Sequence, residues 1–467
     1  MIDNLLLLTD SYKLTHWKQY PPLTETVYSY FESRGGVYPS TVFFGLQYII
    51  AKYLEGRVIT LPMIHEAEQF VNQHIGPGYF NREGWMYIAE KLEGKLPIRI
   101  KAVPEGTIVP NHNVLMTIEN TDPKCFWLTN YLETLLVQVW YGCTVATQSR
   151  AIKQDILSFL RETGTPELID FKLHDFGFRG VSSVESAAVG GAAHLLNFQG
   201  TDTIAGILLA QAYYTDQEAD SGTKMYGYSI PAAEHSTITS WGRENELDAM
   251  RNMLEQYPKG LVACVSDSFN IYEACEKIWG GTLKDQVLKR EGCVVVRPDS
   301  GDPSTVVLKV LDILGDKLGF TVNSKGYKVL DPHVRVIQGD GVNHQEIVKI
   351  LQNMKEAGWS ADNIAFGMGG ALLQKLHRDT QKFAFKCSSV TVNDIQEDVY
   401  KEPVTDTGKN SKRGRLKLVK VNNSYLTVAP IEPFHNEPDQ LQTVFENGFF
   451  TQTTTFDECR ERAKQGL

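Results

Sequence analysis

Residues 334–351 read VRVIQGDGVNHQEIVKIL. An apolar strand, VRVIQ, runs into Gly-Asp-Gly, and a helix follows. Working outward, the same grammar recurs from about residue 170 onward. An apolar run ends in a short polar or glycine cluster, and a helical stretch follows. The clusters are HDFGFRG at 174–180, GTD at 200–202, AAEHS at 232–236, SDS at 266–268, RPDSGDP at 297–303, QGDG at 338–341 and FGMGG at 366–370. Measured between Asp175, Asp202, His235, Asp267, Asp299, Asp340 and Gly369, the steps are 27, 33, 32, 32, 41 and 29 residues. A strand, a loop, a helix and a second loop need about that length. The clusters are not alike in sequence, so the period is structural and the chain is not a solenoid. Polar residues at successive strand ends predict an α/β fold with a (β/α) barrel, whose active site forms from the loops after the strands. An open doubly wound sheet is the competing architecture, but it would not collect chemistry from seven successive strand ends.

The flanks have a different texture. Residues 42–56 and 63–75 read as amphipathic helices, and 124–162 as a long helical stretch. Residues 97–120 alternate apolar and polar positions between PEG and PNHN turns, which predicts strands. The tail returns to strand patterns between 414 and 455. The two β-rich parts are expected to pack together as a second domain built from both ends of the chain. The expected division is 1–150 for N-terminal helices and β-rich segment, 151–390 for the barrel, and 391–467 for the segment completing the β-rich domain.

Composition narrows the function classes. The chain has 467 residues, 42% hydrophobic and 22% charged, with a net charge of −10. That is ordinary globular composition and speaks against disorder and against a nucleic-acid binder. Seven cysteines form no CxxC pair, so neither a disulfide framework nor a zinc site is expected. The opening MIDNLLLLTDSYK has no basic n-region and is too short for a membrane span. The expectation is a cytoplasmic protein.

Each cluster carries chemistry. Glycines in QGDG and FGMGG let backbone N–H groups approach a ligand at a helix start, and phosphate sites often sit on late barrel loops. Arg297 can grip phosphate, and Asp299 and Asp302 can hold magnesium that carries phosphate oxygens. His235 shares the presumed rim with Asp202, Asp267 and Asp299. Phe176 can stack on a flat ring, with Arg179 beside it. Against each stands a plainer reading: tight turns, a surface ion pair, a structural histidine, a barrel plug. Together the clusters ask for a phosphate, a magnesium-bound polyphosphate and an aromatic ring. Phosphoribosyl transfer to a nitrogenous ring meets all three, and a carboxylate-rich pocket stabilises its oxocarbenium-like charge.

Long segments then match a known family in order. They include LLTDSYKLTHWKQYPP at 7–22, VYSYFESR at 27–34, KLHDFGFRGVSS at 172–183, NFQGTDTIAG at 197–206, SIPAAEHSTITSWG at 229–242 and AFGMGGALLQKLHRDTQKFAFKCS at 365–388. Over nearly its whole length the chain resembles the nicotinamide phosphoribosyltransferases, of the type II phosphoribosyltransferase fold. The resemblance implies a homodimer with active sites shared between subunits. It implies the reaction of nicotinamide with phosphoribosyl pyrophosphate in NAD salvage, with Mg2+ and with ATP as a coupling substrate. Carried over by residue, Phe176 would stack on the pyridine ring, with Tyr12 of a second copy on its other face. Arg179 would border the ring, and Asp202 would accept from the carboxamide. Arg297 and Asp299 would hold the ribose and phosphate region. Gly339, Asp340 and Gly370 would take the 5′-phosphate end. Arg378 and Lys386 of a second copy would reach the pyrophosphate, and His235 would be phosphorylated by ATP, with Asp267 and Asp299 completing the catalytic set. The match also brings Asp10, Ser229, Ile337 and Gly369 into the substrate site. The chain departs from the family pattern at Ala384, where a serine is usual, and at Ala371, which interrupts a run of glycines. The alternatives are nicotinate phosphoribosyltransferase and a non-catalytic binding or signalling protein on the same scaffold. Asp202 separates the nicotinamide from the nicotinate enzyme: a carboxylate repels nicotinate, by roughly 4 kcal/mol for like charges about 4 Å apart at an effective dielectric of about 20.

Overall fold

The computed structural model describes residues 3–215, 224–405 and 410–467. The first two residues of the opening stretch thus lie outside the described ones. By contacts the chain divides into two units, one of Met1–Thr147, Ala212–Asp220 and His377–Gly466, the other of Gln148–Gln211, Ser221–Leu376 and Leu467.

The second unit holds the barrel. Its strands are β1 (Leu173–Asp175), β2 (Gly200–Thr201), β3 (Lys259–Val265), β4 (Glu291–Arg297), β5 (Val334–Gln338) and β6 (Ile364–Met368). They form one parallel sheet in the order β2-β1-β6-β5-β4-β3. The seventh expected strand, ahead of His235, is not a regular one. Pro231 has no N–H to give to a ladder, so residues 228–233 make only single bridges, Tyr228 to Gly200 and Ala232 to Ala263. Those two bridges join the free edges β2 and β3 and close the barrel. The closure is held by Thr201 N–H donating to Tyr228 O, Ala263 N–H to Pro231 O and Ala233 N–H to Ala263 O, all 2.9–3.0 Å.

Strand alternation decides what faces the bore. Ala263, Cys293, Val295 and Ile337 form a buried cluster there, with Phe176, Ile230 and Ala365 packed on it. Two residues past Val295 on the same face comes Arg297, so the valine run delivers a guanidinium to the mouth. The helices follow their sequence signals. His344–Glu356 starts at Asn343, whose Oδ1 accepts from Glu346 N–H, and buries Ile347, Ile350, Leu351 and Met354. Pro303–Leu318 starts at Asp302, whose side chain accepts from Thr305 N–H.

The first unit is built on a seven-stranded antiparallel sheet in the order Ile395–Asp398, Phe383–Val392, Thr24–Ser33, Val114–Asn120, Ile98–Ala102, Gln442–Glu446, Phe449–Phe450. The expected pairing of the tail with 97–120 is present where Gln442–Glu446 lies beside Ile98–Ala102. Lys417–Val421 and Ser424–Val428 make a separate hairpin, tied to Val114 by its N–H donating to Thr427 Oγ1. Phe383–Val392 pairs with Thr24–Ser33, so a segment expected to end the barrel at 390 belongs to this sheet. Among the described residues no helix is long and apolar enough to cross a membrane.

Candidate active site

Most of the expected site residues meet at the C-terminal mouth of the barrel, in two groups. The first surrounds a ring-sized slot. Phe176 follows β1, and its N–H donates to Met368 O at 3.0 Å. Its ring lies against Gly367, where an added Cβ would sit 2.0 Å from Phe176 Cε2. Gly367 is therefore not part of a phosphate loop, as the FGMGG spacing suggested. It belongs to β6, faces the bore and leaves room for the aromatic ring. Asp202 follows β2 and is exposed. Its Oδ1 accepts from Ser229 Oγ at 2.5 Å, which leaves Oδ2 for an incoming donor. Phe176, Arg179, Asp202 and Arg297 line a cleft of about 650 Å³. A second cavity of about 450 Å³ runs inward from Phe176, Asp202, Ser229 and Arg297 past Ile337 to Lys172 and Arg335.

The second group is charged. His235 Nε2 lies 3.0 Å from Asp267 Oδ1, and its Nδ1 lies 3.9 Å from Asp299 Oδ2. Asp267 Oδ2 accepts from Asp299 N–H at 3.1 Å and from Ser300 Oγ at 2.5 Å. Asp267 thus fixes both the histidine and the loop carrying Asp299. Arg297 Nε is 3.6 Å from Asp299 Oδ1, an ion pair too long to be a hydrogen bond, and that buried Nε has no hydrogen-bond partner. Burial pushes the Asp299 carboxyl above its ordinary value; Arg297 opposes this, and Asp267 and Asp340 add to it. Gly339 links the two groups, since a Cβ there would lie 3.5 Å from both Asp299 Oδ1 and Phe176 Cε2. Asp340 is exposed beside it, and Gln338 Nε2 donates to Asp340 O at 2.8 Å, holding that loop. Gly369 and Gly370 follow β6, with Gly180 pressed so close that an added Cβ would be 3.2 Å from Gly370 Cα.

The helix-start argument for an anion holds less firmly than the spacing suggested. After Asp340, one of the first free N–H groups of His344–Glu356, that of Glu346, is already served by Asn343. After Gly369, Gly370–Leu373 is a single turn. The loop backbone, more than a helix end, is what these glycines present.

Four expected residues belong to the first unit. Tyr12 is 60% exposed, with His16 edge-on at 4.8 Å. Asp10 Oδ2 accepts from Thr134 Oγ1 at 2.6 Å. Arg378 is exposed, with Asp379 at 3.6 Å. Lys386 lies on Phe383–Val392 opposite Tyr30. Partial burial pulls its ammonium below its ordinary value; Glu133 opposes this, while Arg34, Arg378 and Lys401 lower it further. That cationic crowd was not visible from spacing, since its members are far apart in the chain.

The sequence reading also missed Asp175, Thr203 and Gly367 as parts of the ring slot. The signal for Gly367 was present: it stands two residues after Ala365 on the inward face of β6.

Comparison with known proteins agrees with this architecture. Residues 171–449 match the nicotinate phosphoribosyltransferase (NAPRTase) family, and residues 4–100 match the nicotinamide phosphoribosyltransferase N-terminal domain. The solved nicotinate-nucleotide pyrophosphorylase of Pyrococcus furiosus is similar with a TM-score of 0.60 at 16% identity, covering 99% of this chain and 94% of that one. Human nicotinic acid phosphoribosyltransferase gives 0.53 at 15% identity, covering 98% and 93%. The fold is thus that of the type II phosphoribosyltransferases, an irregular α/β barrel with a second β-rich domain. A nicotinamide phosphoribosyltransferase of Xanthomonas campestris pv. campestris is 54% identical over 99% of this chain and 98% of its own length. One from Acinetobacter baylyi is 33% identical over 99% and 98%. The chain belongs to the nicotinamide phosphoribosyltransferase family.

Proposed function

We propose that this enzyme transfers the 5-phosphoribosyl group of phosphoribosyl pyrophosphate to the ring nitrogen of nicotinamide. The products are nicotinamide mononucleotide and pyrophosphate, in NAD salvage. The observation that carries the choice of ring is Asp202. One of its oxygens is held by Ser229, which leaves the other for a ligand in the cleft that Asp202 lines with Phe176. A carboxylate there accepts from an amide N–H2 and repels a carboxylate substrate. In the transfer, the bond from C1 of the ribose to pyrophosphate breaks and a bond to the pyridine nitrogen forms. Phe176 holds the ring flat. Arg179 borders it. Arg297, with Nε unpartnered, reaches toward the ribose and phosphate region. Gly339, Asp340, Gly369 and Gly370 offer loop backbone to the 5′-phosphate. Asp299 lies where positive charge develops at the sugar and stabilises it electrostatically.

Magnesium belongs to this reading. Among the described residues no group of three or more His, Cys, Asp or Glu side chains forms a cage for a metal. Magnesium does not need one: it keeps its waters and binds one or two carboxylates together with substrate phosphates. Asp299, beside Asp340, fits that role, and the ion would neutralise charge on the departing pyrophosphate. ATP belongs to it as well. Asp267 accepts from Nε2–H of His235, which leaves the lone pair on Nδ1, on the Asp299 side, and makes Nδ1 the atom to accept a phosphoryl group. Tyr12, Asp10, Arg378 and Lys386 would complete the site from a second copy of the chain in a homodimer.

The test is product formation by purified protein with phosphoribosyl pyrophosphate and magnesium. Nicotinamide and nicotinate are run side by side, each with and without ATP. Product from nicotinamide, increased by ATP, is the expected outcome. Preference for nicotinate would overturn the role given to Asp202.

A further inference from the structure

Asp175 is a buried carboxyl that the reaction above does not use. It ends β1, directly before Phe176, and is 0% exposed. Its Oδ1 accepts from Gly177 N–H at 2.7 Å, which closes the turn that presents Phe176. Its backbone O accepts from Asp202 N–H at 2.9 Å. Its Oδ2 points at helix Val184–Leu195 where that helix carries Gly191; an added Cβ there would lie 3.4 Å from Oδ2 and 3.0 Å from Thr203 Cγ2. The glycine is what lets the carboxyl and Thr203 meet under the mouth. Both Oδ2 and Thr203 Oγ1 are buried without a completed hydrogen bond, although they are neighbours close enough for Thr203 to favour the ionised carboxyl. Two complementary polar atoms, buried side by side and each lacking a partner, are costly to the fold until they join.

We propose that Asp175 and Thr203 form a latch that positions the ring slot, fastening the Phe176 turn to the Asp202 loop when the Thr203 hydroxyl donates to the Asp175 carboxylate. The inference rests on the proposed reaction, because its readout is nicotinamide affinity. Ionised Asp175 accepts from both Gly177 N–H and Thr203 O–H. Protonated Asp175 loses the charge that strengthens both bonds, and the Asp202 loop is then held mainly by Asp202 N–H donating to Asp175 O. Burial, with a smaller push from Asp202, raises this carboxyl to about 6, so the latch opens as pH falls through that range. Asp202 is the charged group that faces it. The helix packed against it presents Gly191; its His194 turns to Ser149 and Gly200 O. His174, on the same strand, turns to Phe171 O.

The experiment measures KM for nicotinamide between pH 5 and 8 for the wild type, Asp175→Asn and Thr203→Val. Asparagine keeps the acceptor for Gly177 and cannot ionise, so it imitates the open latch. The wild type should show KM rising as pH falls through about 6. Asp175→Asn should hold the raised value at every pH, roughly fivefold above the wild type at pH 8, the factor of one lost hydrogen bond. Thr203→Val should show a similar rise at pH 8 without unfolding, and KM for phosphoribosyl pyrophosphate should not move in either. A merely structural Asp175 would lower kcat or melting temperature at all pH values and leave the pH dependence of the wild type in the variant; that result, or an unchanged KM in Thr203→Val, overturns the latch. Absence of product from wild type would instead overturn the proposed reaction. The latch would then be read from melting temperature: wild type loses stability relative to Asp175→Asn as pH rises through about 6, and equal pH profiles would overturn it.

Discussion

The two halves of the barrel mouth are built on opposite principles. On the ring side, contacts are short and already made: Phe176 against Gly367, Ser229 on Asp202 at 2.5 Å, Gly177 on Asp175 at 2.7 Å. On the phosphate side, charges face each other across longer gaps: His235 and Asp299 at 3.9 Å, Arg297 and Asp299 at 3.6 Å, with Asp340 close by. A flat neutral ring is recognised by shape and two hydrogen bonds, so its slot can be finished in advance. On the proposed reading, a polyphosphate with its magnesium would bring charges of the kind these side chains are spaced to receive. The ring side should therefore fail by steric change, and the phosphate side by charge change.

The largest effect should come from Gly367→Ala. Its Cβ meets the Phe176 ring at 2.0 Å, and overpacking of this kind costs about 1–3 kcal/mol. Relieving it tips the ring into the slot. KM for nicotinamide should rise by more than tenfold, with KM for phosphoribosyl pyrophosphate nearly unchanged. Next comes Asp202→Asn. Removing the repulsion should relax discrimination against nicotinate by about tenfold to a hundredfold, less than the full Coulomb value because the mouth is open to water. The ratio of kcat/KM values for the two rings measures it.

Asp267→Asn probes the other half. The histidine would keep a neighbour but lose a charge-assisted bond of about 1.5–3 kcal/mol. Stimulation by ATP should fall several-fold, by more than the ATP-independent rate does, while KM for nicotinamide stays. The smallest effect concerns Lys172, at the inner end of the bore. Its ammonium donates to the carbonyls of Ala361, Asp362 and Ile364, and burial pulls it down to about 7. The folded protein therefore holds fewer protons than the unfolded chain between about pH 7 and the ordinary lysine range. Stability should rise with pH across that window. In Lys172→Met the rise should shrink, leaving the smaller part owed to Lys386, as read from melting temperatures at pH 7 and 10.

Much of this was legible beforehand, for definite reasons. Period-two alternation through Cys293, Val295 and Arg297 places an arginine at the mouth without any structure. The spacing of Asp202, Asp267, Asp299 and Asp340 put carboxylates on one rim because strand–helix units have a narrow length range. The bridge-only strand before His235 was harder. Pro231 marks the spot, but only the geometry shows that residues 228–233 close the barrel. Thr24–Ser33 and Phe383–Val392 pair across more than 350 residues, and no local pattern announces such a partner. Asp175 read as a strand-end marker; its burial against Gly191 and Thr203 is a tertiary fact. The grouping of Arg34, Arg378, Lys386 and Lys401 is likewise made by the sheet.

The central claim is that a carboxylate held by Ser229 selects an amide ring for phosphoribosyl transfer. The most direct measurement compares kcat/KM for nicotinamide and nicotinate in the wild type and in Asp202→Asn, with saturating phosphoribosyl pyrophosphate and magnesium. The account predicts strong preference for nicotinamide in the wild type and a ratio moved toward one in the variant. An equal preference in both proteins, or a wild type that favours nicotinate, would contradict it.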